Sequence, residues 1–71
     1  MDLSEAERIV KKRYPGAFAF PDWYDHWTIC SGVKVVRTGR HIQLDGVGWH
    51  DTIQEAWVKA AEVVQREQGR E

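Results

Sequence analysis

Apolar residues recur along this chain at two spacings, and the spacing predicts the elements. In the first segment Leu3, Ala6, Val10 and Tyr14 fall on one face with Ile9 at its edge, while Glu5, Arg8 and Lys12 lie opposite. That is the stripe of an amphipathic helix. Ser4 and Glu7 make a capping box, with Asp2 and Glu5 as an alternative pair. Lys11, Lys12 and Arg13 crowd the last turn, where positive charge suits the helix dipole. Pro15-Gly16 stops the run, so the pattern predicts a helix over residues 3–14.

The middle of the chain alternates instead. Val33 to Arg37 and Arg40 to Asp45 flank Thr38-Gly39, and a two-residue loop there pairs Val35 with Ile42 and Val33 with Leu44. A one-residue slip would set the valines against His41 and Gln43, which breaks the face. Upstream, a three-residue loop at Cys30-Ser31-Gly32, with Gly32 left-handed, pairs Ile29 with Val33 and Trp27 with Val35. Trp27, Ile29, Val33, Val35, Ile42 and Leu44 then share one face. The predicted strands are residues 26–30, 33–37 and 40–45. Residues 15–22, bounded by Pro15 and Pro21, read as an irregular connection with Phe18 and Phe20 tucked under the fold.

A second helical stripe closes the chain. Ile53, Ala56, Trp57, Ala60 and Val64 recur at helical spacing, behind a capping box of Thr52 and Glu55 with Asp51 and Gln54 as its rival. Glu55 with Lys59 and Glu62 with Arg66 are favourable pairs on the wet side, and Gly69 is a natural stop. This predicts a helix over residues 52–68. The expected architecture is α+β, in the order α-β-β-β-α: a three-stranded antiparallel meander with both helices packed on one face, as one domain spanning residues 1–71.

Composition narrows the function. A chain of 71 residues has room for one small core. Cys30 is the only cysteine, so no internal disulfide forms, and the expected setting is reducing and cytoplasmic. No apolar run approaches the roughly 20 residues that span a bilayer. Ten basic against eleven acidic residues give a net charge of −1, which argues against a domain built chiefly to hold phosphates.

The order of elements resembles the double-stranded-RNA-binding domain in topology. That family carries a Lys-rich patch at the start of its second helix. The corresponding positions here are Asp51, Thr52, Ile53, Gln54, Glu55 and Ala56, so the family's RNA binding is not implied. Short strands turned by glycines and followed by the Thr-x-x-Glu-Ala-Trp run of Thr52 to Trp57 are similar to small prophage-encoded orphan proteins. That resemblance implies a phage origin and a host or defence protein as partner. It implies no activity.

Catalytic chemistry finds little support. His26 and Cys30, four apart on a strand, are separated by about 13 Å, too far for a thiolate–imidazole pair. His26 and His41 would stand about 10 Å apart across two strand spacings, long for a shared metal. Asp45, His50 and Asp51 form a weak metal signal and fit better as the approach to the last helix. Asp45-Gly46-Val47-Gly48 lacks the lysine of a phosphate loop. No catalytic residue, cofactor or metal is therefore expected.

The surplus of Trp, Tyr and Arg points elsewhere, because these residue types dominate interface hot spots. Trp27 and Trp57 lie on the apolar faces and belong to the core. Trp49 is placed to close one end of it. Trp23 has no evident structural duty. The expected function is a non-enzymatic protein-binding module, an adaptor or inhibitor acting by surface occupation. Its contact candidates are Trp23, Tyr24, Asp25, His26 and Trp49. The alternative is a nucleic-acid-binding domain using Lys11, Lys12, Arg13, Lys34, Arg37 and Arg40. Val36 and Val58 fall off the apolar faces and are candidates for self-association.

Overall fold

The computed structural model describes residues 1–69. Its elements are α1 (Leu3–Arg13), β1 (Phe18–Pro21), β2 (Trp27–Lys34), β3 (His41–Gln43) and α2 (Ile53–Gln68). The three strands form one antiparallel sheet in the order β1-β2-β3. Both helices lie on one face of it, α2 against β1 and β2 and α1 along α2. A slab of 32 × 26 × 18 Å results, its short dimension set by one helix layer on one sheet. The α-β-β-β-α order and the two-layer packing follow the sequence pattern.

Local chemistry explains the helices. Asp2 caps α1, its carboxylate accepting the Glu5 N–H at 2.8 Å, so the Asp2–Glu5 pair prevails over Ser4–Glu7. Thr52 caps α2 by accepting the Glu55 N–H at 3.1 Å, and Gly69 ends it. Ala6 and Val10 from α1 and Ala56, Trp57, Ala60, Ala61 and Val64 from α2 bury into one core with Ala17, Ile29, Leu44 and Val47. The alanines let the helices approach closely. Ile53, expected in this stripe, is instead exposed at the first turn of α2.

The strands differ from the predicted ones. Phe18–Pro21, inside the segment read as irregular, is an edge strand paired with Trp27–Cys30. Proline is tolerated there because an edge strand has a side that needs no N–H donor. Cys30-Ser31-Gly32 is not a turn. The expected strands 26–30 and 33–37 are largely one continuous strand, β2, with a bulge between Cys30 and Lys34. Gly32 does adopt the left-handed conformation expected of it (φ +91°), but for another reason: Gly16 of the α1–β1 connection packs against it.

The predicted strand 40–45 shrinks to His41–Gln43, and its register shifts. Lys34 faces His41, and the Val35 N–H donates to the Arg40 carbonyl, so the second loop is Val36 to Gly39 rather than two residues. Of the expected apolar face, Ile29 and Leu44 are buried and Trp27 is half-buried against the core, whereas Val33, Val35 and Ile42 are exposed. After Leu44 the chain leaves the sheet through Asp45–Gly48, inserts Val47 into the core, and rejoins β2 where His50 and Trp27 exchange two backbone hydrogen bonds. The His50 Nε2 donates to the Val47 carbonyl at 2.6 Å and pins this excursion.

Candidate functional site

Two faces of the sheet have different fates. The face bearing Ala19 and Ile29 meets the helices. On the other face, strand alternation places Phe18, Phe20, Thr28, Cys30, Lys34, His41 and Gln43. No helix covers it. Thr28 and Cys30 are nevertheless buried, because Phe20 stands directly across from Thr28 and Phe18 from Cys30. The rings of Phe18 and His41 meet edge-on at 4.8 Å, and Phe18 and Phe20 at 6.4 Å. This aromatic layer covers Thr28 and Cys30. Burial pushes the Cys30 thiol above its ordinary pKa and so favours its neutral form. The Thr28 Oγ1 and His41 Nδ1 are buried with no hydrogen-bond partner among the described residues.

The β1–β2 hairpin forms one corner of this open face. Asp22 builds it: one carboxylate oxygen accepts the N–H groups of Tyr24 (2.7 Å) and His26 (2.8 Å), and its own N–H donates to the His26 carbonyl. Asp25 takes the left-handed conformation (φ 59°) that closes a three-residue loop. Burial pushes the Asp22 carboxyl up, but the N–H donors of His26 and Tyr24, aided by the nearby imidazole, outweigh it and hold the group below the ordinary carboxylate value. His26 is bracketed by Asp22 (3.4 Å) and Asp51 (3.3 Å). Nothing in this scheme uses the side chains at 23 and 24. Trp23 is 98% exposed and Tyr24 80%.

Trp49 belongs to the same corner. It does not close the core as expected. It is 42% exposed, and with Phe20, Asp22, Trp23 and Gln43 it lines a hollow of about 470 Å3 on the open face. A second hollow of about 360 Å3 adjoins it, lined by Phe20, Cys30, Arg40, His41 and Gln43. Phe20 and Gln43 are common to both. The structure thus brings Trp23 and Trp49 together, keeps Tyr24 and Asp25 beside them at the hairpin tip, and ties His26 between two carboxylates. Phe18 and Phe20, expected to tuck under an irregular connection, and His41, weighed only as a metal partner of His26, instead form one layer on the open face. The Phe-Ala-Phe alternation at 18–20 was the signal that could have found them.

The basic residues gather at the other end of the sheet. Lys34 ends β2, and Arg37 and Arg40 sit on the loop to β3. Gly16 against Gly32 carries the end of α1, with Lys11, Lys12 and Arg13, toward the same end. Lys11 pairs with Glu7 at 3.7 Å and lies over the Trp57 ring at 5.6 Å, and Arg13 stacks on Tyr14 at 4.7 Å. Val36, at the loop tip, is almost wholly exposed, whereas Val58 is half-buried against the core. Among the described residues no group of three His, Cys, Asp or Glu is arranged to hold a metal, and no helix is long and apolar enough to cross a membrane. Comparison of the chain with known protein families, curated proteins and solved structures finds no match.

Proposed function

We propose that this chain is a non-enzymatic protein-binding module whose working surface is the open face of the sheet, centred on the corner of Trp23, Tyr24 and Trp49. One observation carries the reading. A tight hairpin that Asp22 and Asp25 fold on their own presents an indole and a phenol to solvent. Small polar residues would satisfy the same turn at no hydrophobic cost. Large exposed aromatics on a tip braced by Asp22, next to a hollow walled by Phe20 and Trp49, have the form of interface anchors. The hollows are part-open rather than enclosed, which suits a protein surface better than a closed small-molecule site. Asp22, Asp25 and Asp51 at this corner also oppose a phosphate backbone lying along the face.

A pull-down from host-cell lysate with wild type and a Trp23→Ala/Tyr24→Ala variant tests the reading. The double variant should keep the wild-type circular dichroism and lose specific partners. If it stays folded and retains every partner, the aromatic corner is not the contact surface.

A further inference from the structure

We infer that the open face is self-complementary and closes on a second copy of the chain, with Trp23 and the acidic corner of each copy seated on the basic corner of the other. This rests on the open face being the working surface, as proposed above, and adds the identity of one occupant.

Charge is segregated along a diagonal of the sheet. β1 and β3 are opposite edges and both run antiparallel to β2, so the end of β1 and the start of β3 lie at diagonally opposite corners. The first corner holds Asp22 and Asp25, and Asp51 stands at the same end of the sheet across β2, tied to them through His26. The second holds Lys34, Arg37 and Arg40. No Lys or Arg occurs between Arg13 and Lys34 or between Arg40 and Lys59, and no Asp or Glu occurs from Ser31 to Leu44. Lys34, Arg37 and Arg40 have no carboxylate within salt-bridge distance among the described residues.

The aromatic features follow the same diagonal. Trp23 projects beside one hollow, Arg40 and His41 border the other, and Phe20 and Gln43 stand between them. A two-fold axis lying in the plane of the face, perpendicular to the line joining the acidic and basic ends, exchanges them. Each Trp23 indole then meets the hollow beside Arg40 of the opposite copy, where a guanidinium against an indole face is a favourable pairing. Three carboxylates face three cations, twice over, because an isologous contact repeats every pair. Because the sheet is longer along β2 than across its three strands, the strands of the two sheets run closer to aligned than to orthogonal. A like-on-like superposition would set carboxylate on carboxylate, so the charge pattern selects one orientation.

Light scattering and sedimentation of the intact chain test this from about 10 μM to 1 mM. The wild type should pass from 8.3 kDa to twice that mass as concentration rises, and salt should weaken the dimer. Arg40→Glu and Asp51→Lys, both at exposed side chains, should each weaken dimerisation by at least roughly tenfold. An equimolar mixture of the two should regain wild-type affinity, since each copy then offers what the other lacks. Trp23→Ala should weaken the dimer without touching its charges. Four results overturn the inference: a monomer throughout; a dimer indifferent to Arg40→Glu and Trp23→Ala; single variants whose mixture does not recover; or a dimer that nuclease dissolves, which would make nucleic acid the bridge. A monomer that still loses partners on Trp23→Ala/Tyr24→Ala removes self-association and leaves the module reading standing. A dimer whose double variant keeps all its partners does the reverse.

Discussion

At the scale of single residues, the four tryptophans divide by what surrounds them. Trp57 is buried at the centre of α2's packed face, with the Lys11 ammonium over its ring. Trp57→Ala should cost about 3–5 kcal/mol, by lost transfer energy and the cavity left behind. A domain of this size holds little more than that in total, so the variant should be largely unfolded by circular dichroism. Trp23→Ala removes a side chain that touches almost nothing and should change stability by less than about 0.5 kcal/mol in urea titration. A comparable loss at both positions would contradict the assignment of one to core and the other to surface. Asp22 sets a pH dependence. Its folded pKa lies below the unfolded value, so its contribution is present above the unfolded value and disappears as pH falls through the folded one. Asp22→Asn should therefore be less stable than wild type near neutrality, and the gap should narrow as pH drops below about 4.

At the scale of elements, the bulge in β2 is the most exacting feature. A Cβ on Gly32 would lie 2.5 Å from the Gly16 carbonyl carbon and oxygen, and the residue's φ is one that side-chain-bearing residues rarely adopt. Gly32→Ala should destabilise the fold by roughly 2–4 kcal/mol. Gly16→Ala meets only a 3.3 Å contact and should cost far less, so thermal melts of the pair test whether β2 runs through this point. The same bulge shows where sequence reasoning stops. Helical periodicity and capping residues placed both helices nearly to the residue, because those signals are local. Gly32's left-handed backbone was equally legible, but a turn and a bulge both ask for it. Choosing the turn left Phe18–Pro21 without a partner, and the flanking prolines then made it look irregular. The aromatic layer of Phe18, Phe20 and His41 vanished with that strand. Trp23 and Tyr24 survived as contact candidates because residue type and the lack of a structural duty singled them out, although the hairpin that carries them was not foreseen. His26 between Asp22 and Asp51 joins segments 25 residues apart, and nothing local announces such a meeting.

At the scale of the whole molecule, a thin two-layer slab leaves one broad side of its sheet without a second layer of main chain. If two copies share that side, folding and association become linked, and the melting temperature should rise with protein concentration. Arg40→Glu should abolish that dependence while leaving the dilute-limit melting temperature unchanged, a result that calorimetry at two concentrations can read. The sheet's rims bear on what such assembly can become. β1 is four residues long and ends in Pro21, which has no N–H to offer a neighbour, and β3 is three residues long before the chain turns inward at Val47. Strand-by-strand growth therefore finds no rail on either side. Contact through the broad side consumes the adhesive surface of both copies at once. If the broad side pairs as inferred, crowding this protein should produce more closed pairs, and no fibrils.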